Sequence, residues 1–248
     1  MLTLLVAAPT LAQTPSPAPS PQQSGDLRIT AEPLLGGHVR PGSWTAVRVR
    51  VENDGPSITG ELRIRGQGQQ ATQSRYGVVA DLAPGARKDF TLYAQTALFG
   101  SRLNVDLVSG DTVIATQAVA IKSHDAYTPI VAIVAEQPQG VLNDLTEALV
   151  NPNFQSSTVI QLRAIDLPSR VEAWAAIDRL VWQDVDASNL SEAQLDALKL
   201  WVGAGGRLVV LGGTTGVGPM DAFGDLLPYV PGSTIDVQPA DLTDLLGA

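Results

Sequence analysis

Residues Asp178 to Gly213 read DRLVWQDVDASNLSEAQLDALKLWVGAGGRLVVLGG. Arg179-Leu180-Val181-Trp182 is a short apolar strand that runs into acidic turn residues. Ser191-Glu192-Ala193-Gln194 has the spacing of a capping box, with Leu190 and Leu195 placed as a hydrophobic staple. The helix opened there carries Leu195, Leu198, Trp201 and Val202 along one side. Ala204-Gly205-Gly206 ends it, and Arg207-Leu208-Val209-Val210-Leu211 is a second buried strand. Strand, helix and strand in succession read as part of a parallel sheet.

The same alternation extends upstream. Pro129 to Ala135 is a continuous apolar run, as expected of a strand buried on both faces. Val141, Leu142, Leu145, Ala148 and Leu149 follow at helical spacing, and Thr158 to Leu162 is a further strand. Residues 127–248 therefore read as an α/β domain with a parallel sheet covered on both sides. Downstream, a strand over Thr234 to Val237 and a weak helix over Asp241 to Leu246 complete the pattern. The domain is expected to be incomplete at its C-terminus.

Residues 26–124 have a different period. Thr45 to Val51 alternates valine with arginine, and Glu61 to Arg65, Asp89 to Tyr93, Arg102 to Leu107 and Val113 to Ile121 continue the period of two. Arg40-Pro41-Gly42, Asn53-Asp54-Gly55-Pro56, Ala83-Pro84-Gly85 and Ser109-Gly110-Asp111 supply the turns. About seven strands in about 100 residues predict an immunoglobulin-like β-sandwich. The arginines that alternate with the valines read as a solvated face, and His38 and His124 as isolated surface residues unsuited to a metal site.

Ahead of the sandwich, residues 1–25 combine an apolar run, Leu2 to Ala8, the small-residue site around Thr10-Leu11-Ala12, and a Pro/Ser/Gln tract. This reads as a signal peptide and linker, although no Lys or Arg precedes the run. The run is too short to span a bilayer.

Charge and cysteine content narrow the function. Residues 26–125 hold 11 Lys+Arg against 10 Asp+Glu, whereas residues 126–248 hold 5 against 15. An acidic second half lacks the basic clusters that phosphate backbones require, so no nucleic-acid partner is expected. With no cysteine in the chain, disulfides, thiolate metal sites and thiol nucleophiles are all excluded.

The stretch from Asp178 to Gly213, with GVGPMDAFGDLLPYVP after it, resembles the class I glutamine amidotransferase-like fold, a flavodoxin-like architecture. The likeness is to versions fused to bacterial envelope proteins, some with von Willebrand factor A domains. It rests on a strand ending in acidic residues, an LS-x-x-Q helix start, a WV-x-x-GG helix end and a strand into GG. The stretch GGHVRPGSWTAVRVRVENDGPSITGELRIR similarly resembles Ig-like modules of bacterial surface proteins and glycosidases, which space, orient or bind. The amidotransferase resemblance implies a Cys nucleophile backed by His and Glu. This chain has no cysteine and no histidine after His124, so the triad is absent from it and an enzyme is not expected. Relatives in some glycosidases mediate subunit association, and others carry a membrane helix further along; membrane association is expected only through sequence not present here.

Ligand-binding candidates lie where open α/β sheets place them, beyond the carboxyl ends of the strands. Those ends present Glu136, Asp166, Asp184, Asp186, Gly213 and Thr214. The carboxylates could hold a divalent cation or act as helix caps and solvated loop residues. The Gly212 to Gly218 loop lacks a Walker lysine and the dinucleotide fingerprint. On the sandwich, Trp44 with Tyr76 and Tyr93 forms a candidate glycan-stacking surface, against the plainer reading of Trp44 as an anchor entering its strand. No cofactor and no metal is expected. The leading expectation is a non-catalytic exported protein of the cell envelope, acting as scaffold or interaction surface with protein partners or glycan. The alternatives are carbohydrate binding through the sandwich, and a degenerate metal-dependent hydrolase using Asp184, Asp186 or Thr214.

Overall fold

The computed structural model describes residues 23–65, 76–96, 100–138, 140, 157–211 and 218–228. The signal-peptide run, the helix over Val141 to Leu149, the Gly213-Thr214 loop, and the strand and helix expected after Thr234 lie outside the described residues. Within them the chain is mostly β-strand, with few helical segments.

The first half is antiparallel. Strands β1 (Gln23–Ser24), β2 (Leu27–Pro33), β4 (Trp44–Asn53) and β7 (Ala86–Gln95) form one sheet in the order β1-β2-β4-β7. Strands β5 (Ile58–Arg65), β6 (Tyr76–Leu82), β8 (Arg102–Ser109) and β9 (Thr112–Ala120) form the other in the order β6-β5-β8-β9. Strands β2 and β4 to β9 send apolar side chains to one shared core. Val47, Val49 and Val51 from β4 meet Leu62 from β5 and Leu103, Val105 and Leu107 from β8 there, all essentially without solvent contact. Val49 faces Phe90 across the β4–β7 ladder, and Leu62 faces Leu107 across β5–β8.

The second half is built on a parallel sheet. Strands β11 (Ile130–Ala135), β12 (Thr158–Gln161), β13 (Arg179–Gln183) and β14 (Arg207–Leu211) lie in the order β12-β11-β13-β14, all parallel. Ile130 to Val134 is buried at every position, as a central strand requires. Helix α1 (Glu192–Gly203) begins at the expected cap: the Gln194 amide donates to Ser191 Oγ, and Gln194 Oε1 accepts from the Ser191 amide. Leu198 and Trp201 are buried against the sheet, with Leu195 and Val202 packed beside them. Gly206 lies so close under the Trp201 indole that no Cβ would fit there. The core closes on Trp174, Trp182 and Phe223, all fully buried.

A short parallel clip closes the first half where the connection to the second half begins. Strand β3 (His38–Val39) pairs with β10 (Lys122–Ser123), and the His124 amide donates to the Val39 carbonyl at 2.9 Å. Before β3, Leu35, Gly36 and Gly37 all have left-handed backbone, with φ of 54, 61 and 78°. Left-handed backbone is costly for leucine. Burial offsets that cost, because Leu35 is 3% exposed and belongs to the core of the parallel-sheet half. Next to it, Leu34 packs with Ala46 of β4 and Ala173 of the second half, and Tyr93 of β7 lies against them.

Candidate functional site

After β11, Glu136 is exposed. After β12, Asp166 is half-buried, and both its oxygens are engaged by Arg163 at 2.8 Å, from Nε and from Nη2. Burial by itself would raise the Asp166 carboxyl. The hydrogen bonds from Arg163, with the charges of Arg163 and Arg48, outweigh burial and hold it below the ordinary range.

After β13, Asp184 adopts left-handed backbone at φ 55°, which aspartate tolerates better than most residues. Asp186 is exposed and caps the 3-10 turn Ala187–Asn189, accepting from the Ser188 amide at 2.9 Å. That backbone hydrogen bond and the Ser188 hydroxyl lower its pKa. The loop is pinned from inside: Trp182 Nε1 donates to the Val185 carbonyl at 2.6 Å, and the Trp182 ring meets Phe223 edge to face at 5.2 Å. Phe223 belongs to the 3-10 segment Gly218–Leu226, which packs on this end of the sheet.

Glu136, Asp184 and Asp186 are therefore not brought together as a ligand set. Among the described residues no three His, Cys, Asp or Glu side chains cluster closely enough to hold a metal ion. Gly213 and Thr214 lie outside the described residues. Trp44 is 37% exposed at the start of β4, and Tyr76 of the opposite sheet meets it edge to face at 5.2 Å. The pair anchors two strand starts and leaves part of the indole in solvent. Tyr93 lies opposite Ala46 on the β4–β7 ladder, with the Arg170 guanidinium 5.1 Å above its ring.

The densest polar constellation is one that sequence reasoning missed, at the seam between the halves. Arg40 donates to the carbonyls of Asp125 (3.1 Å), Ala126 (2.9 Å) and Thr128 (3.4 Å), and to Asp178 Oδ2 at 2.7 Å. The same Asp178 oxygen accepts from the Ile130 amide at 2.7 Å, at the first residue of β11. Arg48 reaches the Ile165 carbonyl at 2.6 Å and Asp166 at 3.3 Å. The reading of the β4 arginines as one solvated face is corrected at Arg48. Arg50, two residues on, fits it: it is exposed and pairs with Asp89 at 3.3 Å. A period of two says which side chains leave the sandwich core, and says nothing of what another domain lays over them.

His38 and His124 are likewise not isolated. Both are half-buried, and His38 Nδ1 lies 2.8 Å from His124 Nε2. The rings are within 11° of parallel with centroids 4.9 Å apart, so they meet nitrogen to nitrogen. Burial, then the Lys122 charge and His124, lower His38 from 6.5 to about 4. Burial and then Arg40 lower His124, with Asp125 acting in the opposite direction.

Residues 26–122 match the model of a domain of unknown function, DUF8726. No curated protein matches the chain. Among solved structures, a CARDB domain from Pyrococcus furiosus, determined with di-metal ions, is 18% identical over 41% of this chain and 100% of its own, at a TM-score of 0.29. The sporulation control protein Spo0M of Bacillus subtilis is 14% identical over 41% of this chain and 50% of its own, at 0.27. The alkylpurine DNA glycosylase AlkC of Pseudomonas fluorescens, bound to DNA with an abasic site analogue, is 9% identical over 40% of this chain and 31% of its own, at 0.29. Superpositions this loose carry no argument about fold family or function.

Proposed function

We propose that this chain is a non-catalytic, exported scaffold or interaction protein of the cell envelope. In this reading an immunoglobulin-like sandwich is docked on a flavodoxin-like domain of the class I glutamine amidotransferase type that has no catalytic cysteine. The strand order β12-β11-β13-β14 supports the second assignment, because flavodoxin-like sheets run 2-1-3-4 over their first four strands. Grouping β2-β4-β7 against β6-β5-β8-β9 supports the first. It differs from the constant-type immunoglobulin arrangement in placing the fourth strand beside the third instead of beside the fifth.

The observation that carries the functional reading is the structural commitment of the strand-end acids. Asp166 is tied up by Arg163 and Arg48, and Asp186 caps a turn. The seam, meanwhile, fixes two surfaces in one orientation, which is what a spacer or docking platform needs. Turnover is the test. The purified chain, with Mg²⁺ or Ca²⁺ present, should release no ammonia from glutamine and no nitrophenol from ester, phosphate or glycoside probes. Metal-dependent turnover abolished by Asp184→Asn would replace this reading with the hydrolase one.

A second reading, glycan binding by the sandwich, is favoured by the partly exposed Trp44 held edge-on by Tyr76. Retarded migration in a polysaccharide gel that Trp44→Ala abolishes would support it, and equal migration of the two proteins would remove it.

A further inference from the structure

The connection between the halves, His124 to Pro129, is held from the sandwich side by two devices placed next to each other. One is the Arg40 guanidinium, on three of its carbonyls and on Asp178. The other is the His38–His124 contact. Asp125 shapes the connection from within, accepting from the Tyr127 amide (2.8 Å), the Thr128 amide (2.9 Å) and the Thr128 hydroxyl (2.9 Å). A methyl group added at Gly36 would meet both the His38 ring and Leu162, so His38 sits where the sandwich approaches the parallel-sheet half.

Two imidazole nitrogens at 2.8 Å require one proton between them. A neutral pair satisfies this, one ring donating and the other accepting. A singly charged pair satisfies it too, with the imidazolium donating. A doubly charged pair cannot, because both facing nitrogens then carry hydrogen and the contact becomes a collision of like charges. The surroundings add to the penalty. Lys122 of β10 and Arg40 after β3 both face the pair with positive charge, and Asp125 is the acid that acts on it from the connection.

We propose that His38 and His124 form a proton-sensitive latch on the seam, closed while the pair shares one hydrogen bond and opened when acid places a proton on both rings. Opening separates His124 from β3 and displaces the carbonyls of residues 125, 126 and 128 from Arg40. The Arg48–Asp166 pair and the buried Leu35 lie outside the latch, so the halves stay tethered while the connection loosens. The chain thereby gains an acid-responsive hinge whatever its surfaces bind.

The chain contains two histidines, so ring resonances in a heteronuclear NMR titration of the full chain report on this pair alone. The rings are expected to titrate in two separated steps, the lower one well under the ordinary 6.5. Amide exchange over Ile121 to Thr128, corrected for its intrinsic acid dependence, should accelerate by up to about tenfold per pH unit as pH falls below about 6.5, and level off at the lower step. His124→Gln should abolish that pH dependence and leave a single titration, and His38→Gln should do the same. Two rings titrating independently near 6.5 would overturn the proposal. So would acid-accelerated exchange that persists in both variants.

Discussion

Arg40 and Asp178 stand 138 positions apart and meet at 2.7 Å across the seam, one from the turn after β3 and the other from the residue before β13. Asp178 Oδ2 is shared with the first amide of β11, so the contact fixes a sandwich turn to the start of the central parallel strand. The Arg40 side chain is 16% exposed and Asp178 45%, which sets how much each is worth.

Removing Arg40 should cost more than breaking the ion pair. Arg40→Ala loses three carbonyl contacts as well as the carboxylate, a loss of about 1–3 kcal/mol of unfolding free energy. Asp178 is well exposed, so the coupling in a double-mutant cycle with Asp178→Asn should not exceed about 1 kcal/mol. Arg40→Lys should recover little, since an ammonium cannot reproduce the spread of a guanidinium over four acceptors. Urea unfolding of the full chain, followed by tryptophan fluorescence, measures all three.

Leu35 is a sandwich residue by sequence and a core residue of the other half by packing. Leu35→Ala should therefore lower the stability of the parallel-sheet half by about 2–4 kcal/mol, through lost burial. Val49→Ala, deep in the sandwich, should act on the first half instead. Hydrogen exchange separates them: the Leu35 change should deprotect β11 and β13, and the Val49 change β4 and β7. Deprotection of β4 by the Leu35 change, with β11 untouched, would contradict the docking described here.

Much of the architecture was legible because it is local and periodic. The alternation over Thr45 to Val51 set the valines inward, and all three are fully buried. The apolar run from Pro129 marked a central strand, and Ser191 with Gln194 marked the helix start. The seam was illegible for the opposite reason. His38 and His124 are 86 positions apart, and Arg48 sits in the same alternation as Arg50. No period distinguishes an arginine that meets solvent from one that meets a second domain. The acids at Asp184 and Asp186 were read correctly as strand-end residues, but spacing along the chain does not say whether such acids converge. Capping and loop geometry keep them from doing so.

Stability should fall in two stages on the acid side. The folded pKa values of His38 and His124 are depressed, so the unfolded chain takes up protons first. The loss begins as pH drops through about 6.5 and levels off near the folded His38 value of about 4. Asp166 is also held low, so its stabilisation, present above the unfolded carboxyl value near 3.8, is lost only below that. Scanning calorimetry from pH 8 to pH 3 should show both stages, and a double His38→Gln, His124→Gln chain should show only the second.

Gln194 has a role beyond the cap. Its Oε1 accepts from the Ser191 amide at 3.0 Å, while its Nε2 donates to the carbonyls of Ala164 (3.1 Å) and Leu167 (2.7 Å) in the loop after β12. The side chain thus ties the start of α1 to the segment that carries Asp166 and receives Arg48. Ser191→Ala should cost about 1 kcal/mol, as loss of an ordinary N-cap does. Gln194→Ala should cost about 1–3 kcal/mol, because two partly buried carbonyls lose their donor. Gln194→Glu discriminates between the two roles: it keeps the capping acceptor but turns a carboxylate toward both carbonyls. If the tie to the loop dominates, the glutamate chain unfolds at least as early in urea as the alanine chain. If it matches the parent, the cap alone accounts for the residue.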